Sequence, residues 1–488
     1  MKSAYAAAML AVLSATAFPQ TPPTQPAAAA PATVKPAPSP RTYLTLRADE
    51  DWRWLKNEPA DKDPFDPIKY IPLDPAKDWS LTIGGSARFR FEYKINPAFG
   101  ATNAASPTAN DDYFLHRYYL HADLRYRDSL RIFVEGKAGF IDGEKRNPPP
   151  TPQPADHVDL HQAFVDLSAS KEFTLRLGRQ ELLYDKQKLV GPLDWANVRR
   201  SFDGVKLMMK FDQTKIDAFW ARPVVIDNDR FDQPDDNTNF AGLHATTPLH
   251  KDHQMALFTY YLNRNRDTRT TFGPEYNADL KAGNTDRVTL GARFWGKFDA
   301  WDYDVEGGPQ IGQLAGDDIL AGYVSAEVGY TFADAWAKPR VSVGYDYASG
   351  DNAAGDGQNN TFDQLFPTGH LWFGYVDILG RQNINAGNIT LTIQPTKELK
   401  IWASYHIFCL ADSNDAAYNA AGAPFRRSTS GTAGMSLGHE FDITASYQLD
   451  RHTSFLFGYG WFIPANFIDN TGLSKDVHFL YTGVEYKF

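Results

Sequence analysis

Basic residues recur at alternate positions through the first half of the chain. In LTIGGSARFRFEYK, Arg88, Arg90 and Lys94 alternate with Ala87, Phe89, Phe91 and Tyr93. Arg117, Arg125, Arg131, Lys137, Arg176, Lys206, Arg287, Arg293 and Arg340 hold the polar positions of similar segments. Glu92, Asp123, Glu135, Asp159, Glu327, Asp346 and Glu485 share that side. A guanidinium is a planar fork that can grip both oxygens of a carboxylate. Fixed cations interrupted by acids would draw in a polyanion and still release it. Ion pairs between neighbouring strands are the structural alternative, and part of the set is expected to serve it. No reaction centre accompanies the charges. A hydrolase needs a Ser or Thr nucleophile with an oriented His; the 12 His are scattered, G-x-S-x-G is absent, and alternation puts His116 and His121 on opposite faces. His157, Asp159 and His161 share a face by spacing and could hold a cation, but a polar interior accounts for them. Neither enzyme activity, metal nor cofactor is expected.

Alternation also identifies the elements that carry these residues. Val288, Leu290, Ala292 and Phe294 oppose Thr289, Gly291 and Arg293; Phe441 to Leu449 and Phe455 to Trp461 repeat the pattern. A half-buried strand of a soluble sandwich alternates too. These segments, however, run to about ten residues or more, beyond the usual ~5–6. Their apolar sides end in aromatics, as interfacial girdles do. Short links fall near 126–129, 169–172, 212–215, 249–252, 298–301, 333–338, 395–398 and 449–452. Mostly long polar links fall between them, at about 95–112, 142–156, 181–201, 223–238, 263–284, 349–385, 410–433 and 463–475, with a shorter one at 312–317. Nine outer links and eight inner turns require about eighteen strands. The fold class is therefore all-β: a transmembrane antiparallel barrel with short periplasmic turns and long extracellular loops. The ending LYTGVEYKF would be the last strand, pairing with the first to close it. A secreted solenoid or sandwich is the competing architecture, and no internal repeat supports it.

Composition agrees. Aromatics reach 14% in a chain of 488 residues, while mean hydropathy is −0.44. A barrel needs only alternate residues apolar and leaves no backbone edge unpaired. Lys2, the apolar AAAMLAVL and Ala15-Thr16-Ala17 read as a signal peptide over residues 1–17. The lone Cys409 excludes an internal disulfide. Residues 18–40, rich in Pro and Ala, read as a disordered linker. Residues 41–79, with Trp52 and Trp54, are either a cap or plug at the periplasmic mouth or a simple linker; the barrel then occupies 80–488. Net charge is −10, with much of the acid outside the strands, as in DNDRFDQPDD. The basic residues form no exposed stripe with stacking aromatics, so nucleic acid is not a partner.

The stretch LRLGRQELLYDKQKLVGPLDWANVRRSFDGVKL resembles the alginate export family of outer-membrane barrels. The likeness rests on Gly178, Arg179, Gln180, Glu181 and Leu182, then on Trp195, Asn197, Arg200, Phe202, Asp203 and Gly204. RFRFEY, the H-Q-A-F of 161–164 and FDQLFPTGHLWFGYVD are similar to further parts of the pattern. The resemblance implies a monomeric channel in the outer membrane of a Gram-negative bacterium, through which an anionic polysaccharide leaves the cell. Partners would be the polymer, outer-membrane lipid and periplasmic polysaccharide secretion proteins. It implies pore-lining roles for Arg88, Arg90, Arg117, Arg125, Arg176, Arg179 and Arg200, beside Lys206 and Arg293 from the alternation. Arg179 and Arg200 could instead shape an in-folded loop. Lys188 departs from the pattern, keeping charge without the fork. A diffusion porin for small anions or sugars is the alternative function.

Overall fold

The computed structural model describes residues 42–57, 63–228, 230–265, 283–428 and 430–488. The expected signal peptide (1–17) and linker (18–40), and most of the 263–284 link, lie outside these described residues. Eighteen antiparallel strands form the wall. The first six are β1 (Trp79–Ile95), β2 (Asn110–Tyr126), β3 (Leu130–Asp142), β4 (Asp156–Ser168), β5 (Phe173–Gln180) and β6 (Phe202–Phe211). Next come β7 (Thr214–Val225), β8 (Thr238–His250), β9 (His253–Arg264), β10 (Thr285–Phe298), β11 (Trp301–Leu314) and β12 (Asp317–Thr331). The last are β13 (Arg340–Ala348), β14 (Ile384–Ile393), β15 (Leu399–Leu410), β16 (Ser436–Gln448), β17 (Thr453–Pro464) and β18 (Val477–Lys487). Each pairs with its neighbour in sequence, and β18 pairs with β1 in the register Arg88↔Glu485. Closure runs to the last residue. Phe488 N donates to Gly85 O at 3.0 Å, and Gly85 N donates back to Phe488 O at 2.9 Å.

The outward face is apolar as the alternation requires: Phe114, Leu290, Leu320, Val343, Phe457 and Leu480 are all exposed there. Aromatics crowd its periplasmic rim, with Phe173 against Phe211 and Trp301 against Tyr330. Such girdles sit at the membrane interface, where a ring meets both lipid and water. The single two-residue outer link is Ala315-Gly316. Both residues have positive φ, as tight hairpin turns demand.

The inward face departs from the expected uniformly polar lining. Along β1–β5 it is mostly charged or polar, with Tyr113, Leu115, Tyr119, Phe133 and Phe164 buried among the charges. Along β6–β18 its outer half carries a large apolar cluster, with Phe202, Phe240, Tyr260, Leu262, Leu314, Tyr323, Phe408 and Phe479 all buried in it, interspersed with polar groups such as Arg287 and Glu440. The 181–201 and 349–383 loops fold into the lumen and supply its other side, through Leu189, Val190, Phe362, Phe366 and Leu379. Where that cluster lies, the strands are apolar on both faces because both are covered, one by lipid and one by loop.

Residues 43–57 and 63–73 pack at the periplasmic end. Arg47 donates to Gly85 O at 2.9 Å and to Phe488 O at 2.8 Å. A short helix, α1 (Asp66–Lys69), leads to Ile71 and Pro72, which pair with β1. Asp63 meets Arg451 at 2.9 Å and His452 at 3.0 Å.

Candidate functional site

The 181–201 loop is held by three arginines on two adjacent strands. Arg88 donates to the carbonyls of Asp194 (2.8 Å), Trp195 (3.2 Å) and Ala196 (2.8 Å). Arg90 donates to Trp195 O at 2.8 Å and pairs with Glu92 at 2.7 Å. Arg117 donates to Asp194 O at 2.8 Å and meets the Asp194 and Glu485 carboxylates at 3.1 and 3.3 Å. Alternation put Arg88 and Arg90 on one face, and the β1–β2 register puts Arg117 directly opposite Arg88. Two of these cations, Arg117 and Arg88, act on Asp194 together with Arg199 from the loop. Burial pushes its carboxyl up, but Arg117, Arg199 and Arg88 overcome this and hold it well below the usual range.

Trp195 is the hub. Its indole lies 3.7 Å from the His370 ring at 10°, and the Arg90 guanidinium sits 3.8 Å from its centroid. The His370 ring nitrogen meets Asp377 at 2.8 Å. Burial lowers the pKa of His370, the Asp377 charge opposing it, which favours the neutral ring. The two motif stretches of the sequence therefore meet inside the barrel. Gly191 N donates to Phe366 O at 2.9 Å, and Phe366 N donates to Leu189 O at 2.8 Å.

Each of the nine basic residues singled out from the sequence has protein partners. Arg200 donates to the carbonyls of Gly191, Phe366 and Pro367, the shortest at 2.7 Å; burial pushes its guanidinium down to about 10. Arg179 grips Asp203 with two arms at 2.7 and 2.9 Å. Arg176 grips Asp166 likewise, at 2.7 and 2.8 Å. Arg125 meets Asp123 at 2.9 Å and the Glu50 carbonyl at 2.8 Å. Lys206 lies 3.8 Å from Asp217, and Arg293 meets Asp185 at 3.0 Å as well as Asp304. Lys188 lies 3.7 Å from Asp304 and 3.9 Å from Glu306.

Pairing still leaves cavities beside part of the set. Arg88 and Arg90 line a cavity of about 390 Å³ with Asp194, Trp195, His370 and Glu485. Arg88 Nε and Arg90 Nη2 are buried donors without a hydrogen-bond partner among the described residues. Arg293 lines a second cavity of about 280 Å³, and Arg125 a third of about 230 Å³ at the periplasmic mouth. Alternation missed the loop residues Trp195, Arg199 and His370, since it speaks only for strands; the motif stretches were their only signal.

The suggested His157, Asp159 and His161 face does not form. The β3–β4 pairing shifts register at Gly136 and again at Gly139, and these bulges turn His157 outward, 3.0 Å from the Asn228 carbonyl. His161 remains buried beside Glu181, at 3.0 Å. Asp159 instead joins Asp156 and Asp232. Lys137 Nζ occupies that cluster, at 2.7 Å from Asp156 and 2.6 Å from Asp232. An ammonium already stands where a cation would.

A closed barrel with an apolar belt, long loops on one side and a charged interior defines an outer-membrane channel. The profile of the alginate export family matches residues 79–480, and the chain belongs to that family. No curated protein sequence matches. Among solved structures the chain is similar to OccD3 (OpdP) of Pseudomonas aeruginosa, with a TM-score of 0.56 and 12% identity over 93% of this chain and 99% of that one. It is similar to OccAB1 of Acinetobacter baumannii, at 0.56 and 12% over 83% and 97%. OpdQ of Pseudomonas aeruginosa follows at 0.54 and 13% over 84% and 97%. At such identities the likeness is one of fold.

Proposed function

We propose that this channel, acting as a monomer, passes an anionic, uronate-bearing polysaccharide outward, with periplasmic secretion proteins delivering the polymer. The cargo's carboxylates would be handed between lumenal guanidinium groups. The observation that carries this reading is the pair Arg88 and Arg90. They line the largest of the three cavities, keep buried donors free, and stand beside Glu485, which limits how tightly an anion is held. A donor buried without a partner is costly, so a passing carboxylate gains by satisfying it. Residues 43–57 and 63–73, at the periplasmic end, serve as a plug that the cargo displaces.

A second reading is favoured by size. The cavities are each of a scale for one or two sugar units, and the in-folded loops fill much of the outer lumen. A diffusion porin for small anions or sugars would work through such spaces without moving the loops.

Single-channel recordings under salt gradients, with and without uronate oligomers, separate the two. Anion selectivity with uronate blockade that weakens in Arg88→Ala/Arg90→Ala supports the polymer. Cation selectivity, or indifference to uronates, removes the acidic cargo and leaves the channel.

A further inference from the structure

We propose that the cavity of about 280 Å³ beneath the start of the 181–201 loop is a second sugar subsite, holding one hexuronate ring against the Trp295 indole; this rests on the uronate reading above. Trp295 points inward from β10, three residues before Phe298 at the periplasmic end of that strand, and it lines the cavity. Its orientation is set from one side. The Arg293 guanidinium lies 4.1 Å from its centroid, and Arg293 is itself fixed by Asp185 at 3.0 Å and by Asp304. The indole also lines the cavity. One face of a pyranose ring presents C–H groups, which carry partial positive charge and suit the negative face of an aromatic ring.

Polar groups around that platform match the rim of an acidic sugar. Lys215 is exposed and has no ion pair among the described residues. It differs in this from the guanidinium groups nearby, which are all committed to acids. Asp217 accepts from the Tyr184 hydroxyl at 3.2 Å through one oxygen, leaving the other to accept from a sugar hydroxyl. His244 is held by Asp185 at 2.8 Å and stacks on Tyr184, with ring centroids 4.6 Å apart. The Thr246 hydroxyl completes the wall. Ligand pockets run from about 300 to 1,000 Å³, so this one admits a single ring. The free ammonium selects a carboxylate-bearing ring over a neutral one. Leu183–Asp185 border this cavity while Gln187, Asp194 and Trp195 border the Arg88 cavity, so one loop carries both subsites.

The test uses the whole channel in planar bilayers, with a hexuronate trisaccharide and neutral maltotriose as probes. In the unsubstituted channel the uronate should block with the longer dwell time. Trp295→Ala should shorten that dwell about tenfold, and Trp295→Phe should restore most of it. Lys215→Met should shorten the uronate dwell severalfold and leave that of maltotriose unchanged. Lys215 is exposed, so this variant carries the test even if Trp295→Ala fails to fold, which heat-modified gel mobility reveals. Dwell times unchanged in both variants, with Arg88→Ala/Arg90→Ala still weakening the block, would overturn this subsite alone. Maltotriose held as long as uronate would overturn the ligand class. No blockade of the unsubstituted channel by either sugar would overturn the uronate reading and this subsite with it.

Discussion

Tyr260 on β9 and Arg293 on β10 both point into the lumen, yet they live in different chemistry. Tyr260, nearer the outer end, is buried among Phe219, Phe240 and Phe258 under the in-folded loops. Arg293, nearer the periplasm, is clamped by two aspartates beside a cavity. The outer lumen of β6–β18 is built like a soluble core, where fit and burial decide stability. The inner lumen is an electrostatic frame, where each charge is tolerable because another answers it. A channel divided this way can keep its loops in place with one half and select its cargo with the other.

The sharpest way to break that division is Phe366→Ala. Phe366 is fully buried against Phe202 and Phe240, at 5.3 and 4.9 Å between centroids, and its backbone anchors both loops. Truncating a buried Phe costs about 3–5 kcal/mol. The expected outcome is a large loss of thermal stability and noisier, larger conductance, with ion selectivity unchanged. A shift in selectivity from this substitution would mean that the two halves are not separate in function.

That division explains what could be read from the sequence. The barrel, its eight short turns and nine outer links, and the lipid face of each strand followed from period-2 alternation, because lipid imposes a single requirement on every outward residue. Arg88, Arg90 and Arg117 were placed in the lumen by the same logic. Phe202, Phe240 and Leu262 were not legible as a core. A strand covered on both faces loses its alternation, and nothing in Leu262 says whether loop or lipid covers it. Nor could the pairing of every arginine be read, since Asp194, Asp203 and Asp185 arrive from loops and register that no local pattern specifies.

Arg88→Lys/Arg90→Lys sharpens the inner half. Lysine keeps the charge but cannot span the three consecutive carbonyls of 194–196 as a fork does. If these residues act by charge, anion selectivity should persist in the lysine variant and fall in Arg88→Ala/Arg90→Ala. If they act by anchoring the loop, both variants should show conductance raised several-fold. We expect both results together: conductance up in each, selectivity lost only with alanine. Equal selectivity in all three channels would assign the pair to anchoring alone.

The smallest expected effect lies where the two chemistries meet. Lys69 is a cation of the inner half set in surroundings like those of the outer half. Its Nζ is buried without a hydrogen-bond partner, 5.2 Å from the Trp52 ring, 5.6 Å from Tyr43 and 5.8 Å from Phe488. Gly84 makes the room, since a Cβ there would stand 2.3 Å from this nitrogen. Burial, then the nearby Arg47 charge, push Lys69 down to about 7, against the pull of Glu50 and Asp63. His121, across from Gly84, also faces it. In the unfolded chain a lysine titrates near ~10.4. Between those values the released segment binds a proton that the packed segment lacks, so packing strengthens as pH rises, by at most about 1.4 kcal/mol per pH unit. Below about 7 the ammonium is charged in both states and the full penalty applies. Denaturant-induced release of residues 43–73, read by limited proteolysis, should therefore need more denaturant at pH 9 than at pH 6.5. Lys69→Met, which removes the charge and fills the same space, should resist release equally at both. A methionine variant that keeps the pH dependence would mean that another group carries it and leave Lys69 as a cation held by its three rings.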